Sequence, residues 1–116
     1  MSKKIHIDAD QIKPLATGLG TCIATDKITV QGLPVRFMYR ETPIGSQDSG
    51  WRFLSGLESD AYMENVKNQG AYDVNLIANC DPSVIPLLGS PTGAAFEKLD
   101  SSDAFTEAGD WEPDED

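Results

Sequence analysis

The sequence has few of the residues that most catalytic and metal sites require. It contains one histidine, His6, and two cysteines, Cys22 and Cys80. A Ser-His-Asp or Cys-His pair would have to use His6, whose place near the N-terminus favours a surface or strand-edge role. These residues also lack zinc-ligand spacing. We therefore predict no catalytic residue, no metal site, no cofactor and no enzyme activity. If the chain were an enzyme, Ser49, beside Asp48, would be the best candidate for a nucleophile.

Phosphate-binding loops and long apolar runs are also missing. The sequence has no Gly-x-x-x-x-Gly-Lys and no Gly-x-Gly-x-x-Gly segment. The first eight residues lead into no apolar run of the roughly 7–15 residues of a signal peptide or the roughly 20 of a membrane span. We expect a cytoplasmic protein with no membrane partner. Its two cysteines are expected to be reduced and packed in the core, although the sequence leaves a disulfide open.

Positive charge is scarce, and the C-terminal end has none. The 116 residues carry a formal net charge of −10, and residues 100–116 hold eight acids without a lysine or arginine. The remaining 99 residues are nearly balanced, with eleven acids and nine bases. The sequence has no stripe of basic residues of the kind that binds nucleic acid, and anionic lipid would repel the chain. We predict one domain over 1–99, an acidic flexible tail over 100–116 and no nucleic-acid partner.

Alternation of apolar and polar residues predicts short strands joined by turns. On one of them, Trp51 and Phe53 share a face, and Arg52 and Leu54 share the other. The close spacing favours an antiparallel meander, with a loop over 41–50 and turns at 26–27 and 31–34. The predicted strands cover 5–7, 21–25, 28–30, 35–40, 51–54 and 93–99.

Capping residues predict short helices in the second half of the chain. Ser59 begins a helix that reaches residue 66, and Gly70 is the expected stop. Asp73 caps a helix over 73–79, and Asp81 followed by Pro82 begins a helix of about one turn. The predicted fold class is α+β, an antiparallel sheet with two or three short helices packed on one face.

Residues 39–56 combine aromatic side chains, arginines and an acidic turn. Trp and Arg are enriched in protein interfaces. Two interpretations remain open. In the first, these residues form a contact surface for a partner or ligand; in the second, Trp51 and Phe53 belong to the core, and Arg40 and Arg52 form ion pairs with Glu41, Asp48 or Glu58 at the sheet surface. The candidate partner- or ligand-binding residues are Tyr39, Arg40, Glu41, Asp48, Ser49, Trp51 and Arg52.

Several of these segments resemble a bacterial family of predicted immunity proteins of polymorphic toxin systems, the immunity protein thirty-three type. The most specific run is Gly-Trp-Arg-Phe-Leu-Ser-Gly at 50–56, and the resemblance covers roughly residues 20–97. It also includes Met38-Tyr39-Arg40-Glu41, Tyr62-Met63, Asn79-Cys80-Asp81-Pro82 and Gly93-Ala94-Ala95-Phe96. The resemblance implies a non-enzymatic cytoplasmic binder of a cognate toxin, and it brings no catalytic residue.

Two functions remain open from the sequence. The first is neutralisation of a cognate toxin through a protein interface of standard size. The alternative is a small-molecule sensing or regulatory module, with a homodimer as one form, in which Arg40 and Arg52 hold an anionic ligand in one pocket.

Overall fold

The structure is a computed structural model that describes residues 5–98 and 104–108. The strands of this part of the chain are β1 (Thr21–Thr25), β2 (Phe37–Arg40), β3 (Asp48–Leu54), β4 (Gln69–Asp73), β5 (Ala95–Lys98) and β6 (Phe105–Glu107). Its α-helices are α1 (Asp26–Thr29), α2 (Asp60–Glu64) and α3 (Val74–Cys80), and 3-10 helices cover Ala9–Gln11, Val66–Asn68 and Pro82–Leu87. No helix in these residues is both long enough and apolar enough to cross a membrane.

The strands form one sheet in the order β4-β1-β3-β2-β5-β6. The pairing of β1 with β3 is parallel, and the other neighbouring pairs are antiparallel. Parallel neighbours need a crossover connection, and here it contains α1 and β2. The predicted α+β class is confirmed; the central parallel pair is the departure from a simple meander.

The hydrophobic core lies on one face of this sheet. Trp51 and Phe53 stack with ring centroids 6.1 Å apart, and both are buried, as one of the two interpretations predicted. The Trp51 indole donates its Nε1–H to the carbonyl of Leu88 at 3.2 Å, so its polar atom is satisfied. The helices cover this face with Ile28, Val74, Ile77 and Val84.

Three of the predicted caps are confirmed. The Ser59 hydroxyl accepts from the backbone N–H of Tyr62 at 3.1 Å and begins α2. Asp73 caps α3, and Asp81 caps the 3-10 helix that starts at Pro82. Each side-chain oxygen satisfies an N–H that has no partner within its own helix.

Two predicted strands are wrong. Ile28 and Thr29 lie within α1, and Val30 is its C-cap, so this segment is helical and not extended. Burial of Ile28 and Thr29 outweighs the β-branched character of the segment. Residues 5–7 form a bend, where His6 donates one backbone hydrogen bond to Thr29 but no strand ladder forms. Local alternation over three residues is too short a signal to fix a strand.

Two strands were not predicted. β4 occupies the segment where Gly70 was expected to end a helix, and it pairs along its length with β1. β6 lies within the predicted tail and pairs with β5, so the sheet extends beyond residue 99 to Glu107. The division into a domain over 1–99 and a flexible tail stays a prediction, since 99–103 and 109–116 lie outside the described residues.

Candidate functional site

The face of the sheet opposite the core is the candidate site, and we call it the open face. In the described chain, the helices with buried side chains add them to the core, whereas α2 buries none. Strand register places these residues on the open face: Thr21, Ile23, Thr25, Phe37, Tyr39, Arg52, Leu54, Gln69, Ala71 and Glu97.

Arg52 is the charged centre of the open face. Its side chain is 4% exposed, and its guanidinium forms a two-pronged pair with Asp48 through bonds of 2.9 and 2.8 Å. Its Nε–H donates to Glu41 Oε2 at 2.5 Å, and Nη1 also donates to the carbonyl of Trp51. The planar fork of arginine matches a carboxylate in this way, which lysine cannot do. The ion pairs considered from the sequence thus form with Glu41 and Asp48.

Electrostatics favour the charged forms of Asp48 and Arg52. The hydrogen bond from Arg52 lowers the pKa of Asp48 far below its ordinary value, against the opposing effect of burial. Burial acts against the charge of Arg52, but its bonds with Asp48 and Glu41 prevail and raise the pKa of the guanidinium. Two carboxylates and one guanidinium leave this cluster with a net charge of −1.

Asp48 also fixes the loop that carries Glu41. Its Oδ1 accepts from the N–H of Gly50, and its Oδ2 accepts from the N–H of Ile44, each at 2.9 Å. Gly50 has φ +88°, and a Cβ there would lie 2.3 Å from the carbonyl oxygen of Glu41. Glycine is required here because of the positive φ and because the two backbones approach so closely.

Arg40 lies on the other side of the sheet. It is paired with Trp51 in the β2–β3 register, and its guanidinium lies 5.7 Å from the indole ring. Nε donates to the carbonyl of Ser49, and Nη1 donates to that of Ser90. Arg40 and Arg52 therefore do not form the common anion pocket that the sensing hypothesis required.

The remaining candidate binding residues are also divided between the two faces of the sheet. Tyr39 faces the open side, where its ring lies 5.7 Å from that of Phe37. Ser49 is buried, and its hydroxyl accepts from the N–H of Trp51. Trp51 itself belongs to the core. The structure thus brings together Tyr39, Glu41, Asp48 and Arg52 on the open face and separates them from Arg40, Ser49 and Trp51.

Neither cysteine offers a reactive thiolate. Both are free thiols, Cys22 being buried and Cys80 half-buried. Burial raises the pKa of Cys80 to about 11 and raises that of Cys22 further. A thiol is a poor nucleophile in such surroundings, because the thiolate is the reactive form.

A small depression lies beside the Arg52 cluster. It has a volume of about 100 Å³, below the roughly 300–1,000 Å³ of small-molecule pockets. Its lining combines apolar walls with the Glu41 carboxylate at one side, and consists of Ile23, Thr25, Tyr39, Glu41, Arg52, Phe53, Leu54, Met63 and Gln69.

A wider, more open trough of about 370 Å³ adjoins this depression and shares Ile23 with it. Ile44, whose side chain is 82% exposed, stands at its side, and Ala71 of β4 and Asp48 also line it. The open face therefore offers apolar contact area and concave features next to one net negative charge.

Sequence reasoning missed the walls that come from outside residues 39–56. Ile23 reaches the site because β1 pairs in parallel with β3, and Gln69 reaches it through the unpredicted strand β4. Residues 21–25 were predicted to form a strand, but no local signal shows which strand lies next to it. Such pairing is long-range and must be known before the site can be assembled.

The Glu58 carboxylate was also missed as a structural residue. It accepts from Ser55 and Gly56 at the end of β3 and from the hydroxyl of Thr25 on β1. Burial alone would raise the pKa of Glu58, but these hydrogen bonds, led by the one from Thr25, lower it. The Leu-Ser-Gly end of the specific run is thereby fixed to the neighbouring parallel strand.

Comparison with known families gives one result. The family model described as the Immunity protein Imm33 domain matches residues 22–109, most of the chain and all the strands of the sheet but the first residue of β1. No curated protein and no solved structure matches the chain.

Proposed function

Because the chain belongs to the immunity protein Imm33 family, we propose that it binds a cognate bacterial toxin and neutralises it without catalysing a reaction. The expected place of action is the cytoplasm. The proposed contact surface is the open face, and the toxin is the partner that covers it.

The observation that carries this proposal is that the helices with buried side chains pack on the core face, whereas α2 lies at the open face with its Met63 beside the small depression. A sheet normally buries both faces or exposes a polar one, whereas the open face presents Ile23, Leu54 and the exposed Ile44. A standard interface buries about 800 Å² on each partner. That is roughly a tenth of the total accessible surface of 7121 Å².

The proposal is tested by growth protection in bacteria that express candidate toxins of polymorphic toxin systems. The wild-type chain is expected to restore growth. Ala71→Arg places a long cation on the open face, where the residue is exposed and lines the trough, and it is expected to abolish protection.

Thr17→Arg is the matched control, because Thr17 is exposed and lines a depression with Ile85 and Leu88 of the helical layer. It is expected to protect as well as the wild type. Growth that is not restored by the wild-type chain would refute toxin neutralisation. Protection lost with Thr17→Arg and kept with Ala71→Arg would move the contact surface to the helical side.

A further inference from the structure

Glu41 is held in one orientation at the side of the small depression. Its Oε2 is fixed by the Nε–H of Arg52, which is itself held by the two-pronged pair with Asp48. Within the described residues the second oxygen, Oε1, has no hydrogen-bond partner, and 42% of the Glu41 side chain is exposed. The carboxylate is therefore pre-organised, which lowers the entropy lost when a partner group binds to it.

The walls of the depression suit the stem of a long side chain. Ile23, Leu54 and Met63 provide apolar contact, and Tyr39 adds an aromatic ring. Lys and Arg bury their methylene stems on such surfaces while the charged head keeps a polar partner. The volume of about 100 Å³ is well below the roughly 300–1,000 Å³ of small-molecule pockets, which limits the occupant to a single side chain.

The charge of the site favours a cation. Arg52 is fully balanced, because Asp48 and Glu41 contribute two negative charges against its one positive charge. Glu97, on the same face, adds a further carboxylate. An entering cation thus meets a net negative face, and an entering carboxylate would be repelled.

We propose that the depression receives a lysine or arginine side chain from the toxin, with its head paired to Glu41 Oε1. This inference rests on the proposed toxin binding and specifies its chemistry. The partner surface that covers the open face is then basic around one inserted side chain. Arg52 acts as a positioning residue that holds the receiving carboxylate.

A peptide titration tests whether the depression binds a cationic side chain without the toxin. The probes are acetyl-Gly-Arg-Gly-amide and its citrulline counterpart, which has the same shape but no charge. Methionine-methyl NMR reports binding, because Met63 lines the depression while Met38 is buried in the core and serves as an internal reference. The arginine peptide is expected to shift the Met63 signal in a saturable way and to leave Met38 unchanged.

Glu41→Gln is expected to remove this response, since a glutamine oxygen still accepts from Arg52 but carries no charge. Glu107→Gln, an exposed acid on β6, is the control that keeps it. Equal responses to the arginine and citrulline peptides, no response of Met63, or a response that Glu41→Gln retains would each overturn the proposal.

The second measurement uses the toxin itself. Glu41→Gln is expected to weaken its Kd at least about tenfold and to flatten the dependence of Kd on salt, whereas Glu107→Gln changes neither. If the toxin is neutralised but Glu41→Gln binds it as tightly as the wild type, the proposed side-chain binding is refuted and the proposed function stands. If no toxin is neutralised, the proposed function fails, and the peptide result still shows whether the depression binds a cationic side chain.

Discussion

Arg52 links two parts of the open face, because its buried guanidinium pairs with Asp48 at the start of β3 and with Glu41 in the preceding loop. Removing one partner of a buried ion pair leaves the others uncompensated and costs about 3–5 kcal/mol. Solvent reduces that cost here, since Glu41 is partly exposed.

Arg52→Met keeps the apolar stem and removes the charge. We expect it to lower the free energy of unfolding by about 2–4 kcal/mol, since Asp48 and Glu41 then repel each other without a cation. Urea denaturation measures the change. Lys67→Met, at an exposed lysine in the 3-10 helix Val66–Asn68, is the control and should shift the value by less than about 0.5 kcal/mol. A similar small shift for Arg52→Met would show that the cluster is not a structural anchor.

Asp48 makes part of this stability depend on pH. Its folded-state pKa is lowered from the ordinary value near 3.8, so its contribution is present above about pH 4 and is lost as the pH falls toward the folded pKa. The stability gap between the wild type and Asp48→Asn should therefore be larger at about pH 6 than at about pH 2.5. Urea midpoints at the two pH values measure it. A gap that stays constant would mean that Asp48 is not stabilised as a carboxylate.

The segment before β1 is attached to α3 by asparagine side chains. Asn75 Oδ1 accepts from the backbone N–H groups of Leu15 and Ala16, both at 2.8 Å, and its Nδ2–H donates to the carbonyl of Lys13. Asn79 makes a second pair of bonds with Lys13. An irregular segment with no strand or helix of its own thus has its backbone groups satisfied by a neighbouring helix.

Asn75→Ala should release this segment. The loss of its hydrogen bonds, each worth about 1 kcal/mol, is expected to speed amide exchange at Leu15 and Ala16 by at least about tenfold. Exchange at Ile77 within α3 should stay within about twofold of the wild type, because the helix keeps its cap and core contacts. Unchanged exchange at Leu15 would contradict the attachment. Asn65→Ala, at the exposed cap of the 3-10 helix Val66–Asn68, is the matched control.

Elements with a local signal were predictable from the sequence. Thr21–Thr25 has the apolar character of a buried strand, and Ser59, Asp73 and Asp81 are caps whose side chains act within three residues. Elements that depend on distant partners were not predictable. β4 contains a glycine and has only Tyr72 among the residues that favour strands, and it is held by its ladder with β1.

The candidate site was predictable to the same extent. The segment that contains Glu41, Asp48 and Arg52 was recognised from its composition, and strand alternation put Arg52 and Trp51 on opposite faces. The walls from Ile23 and Met63 required the fold, because they come from other elements. Likewise, the sequence could not show that the guanidinium of Arg40 is bound by backbone carbonyls.

At the scale of the whole molecule, the two faces of the sheet have different surroundings. One face packs against α1, α3 and the 3-10 helix Pro82–Leu87 and provides the core, and the other is the proposed contact surface. The balance of charge supports this division, since the open face is acidic and its arginine is neutralised internally. A toxin with a basic binding surface would therefore associate faster at low ionic strength.

The association rate constant with the toxin is expected to fall as salt rises from about 50 to about 300 mM, since screening shortens the reach of the acidic face. Stopped-flow measurements or surface-based kinetics would give this dependence. Glu97→Gln, which removes one negative charge from the open face, should weaken this salt dependence, whereas Glu107→Gln should leave it nearly unchanged. A rate that is independent of salt would contradict electrostatic steering.

Titration of the toxin with the purified chain tests the central claim, neutralisation by binding alone, most directly. The residual toxic activity is measured against the molar ratio of the two proteins, at toxin concentrations well above Kd. Neutralisation by binding predicts a linear fall that reaches its minimum at a fixed stoichiometric ratio and does not progress with incubation time. Complete loss of activity at a small fraction of that ratio, increasing with time, would contradict the account and show that the chain acts as a catalyst.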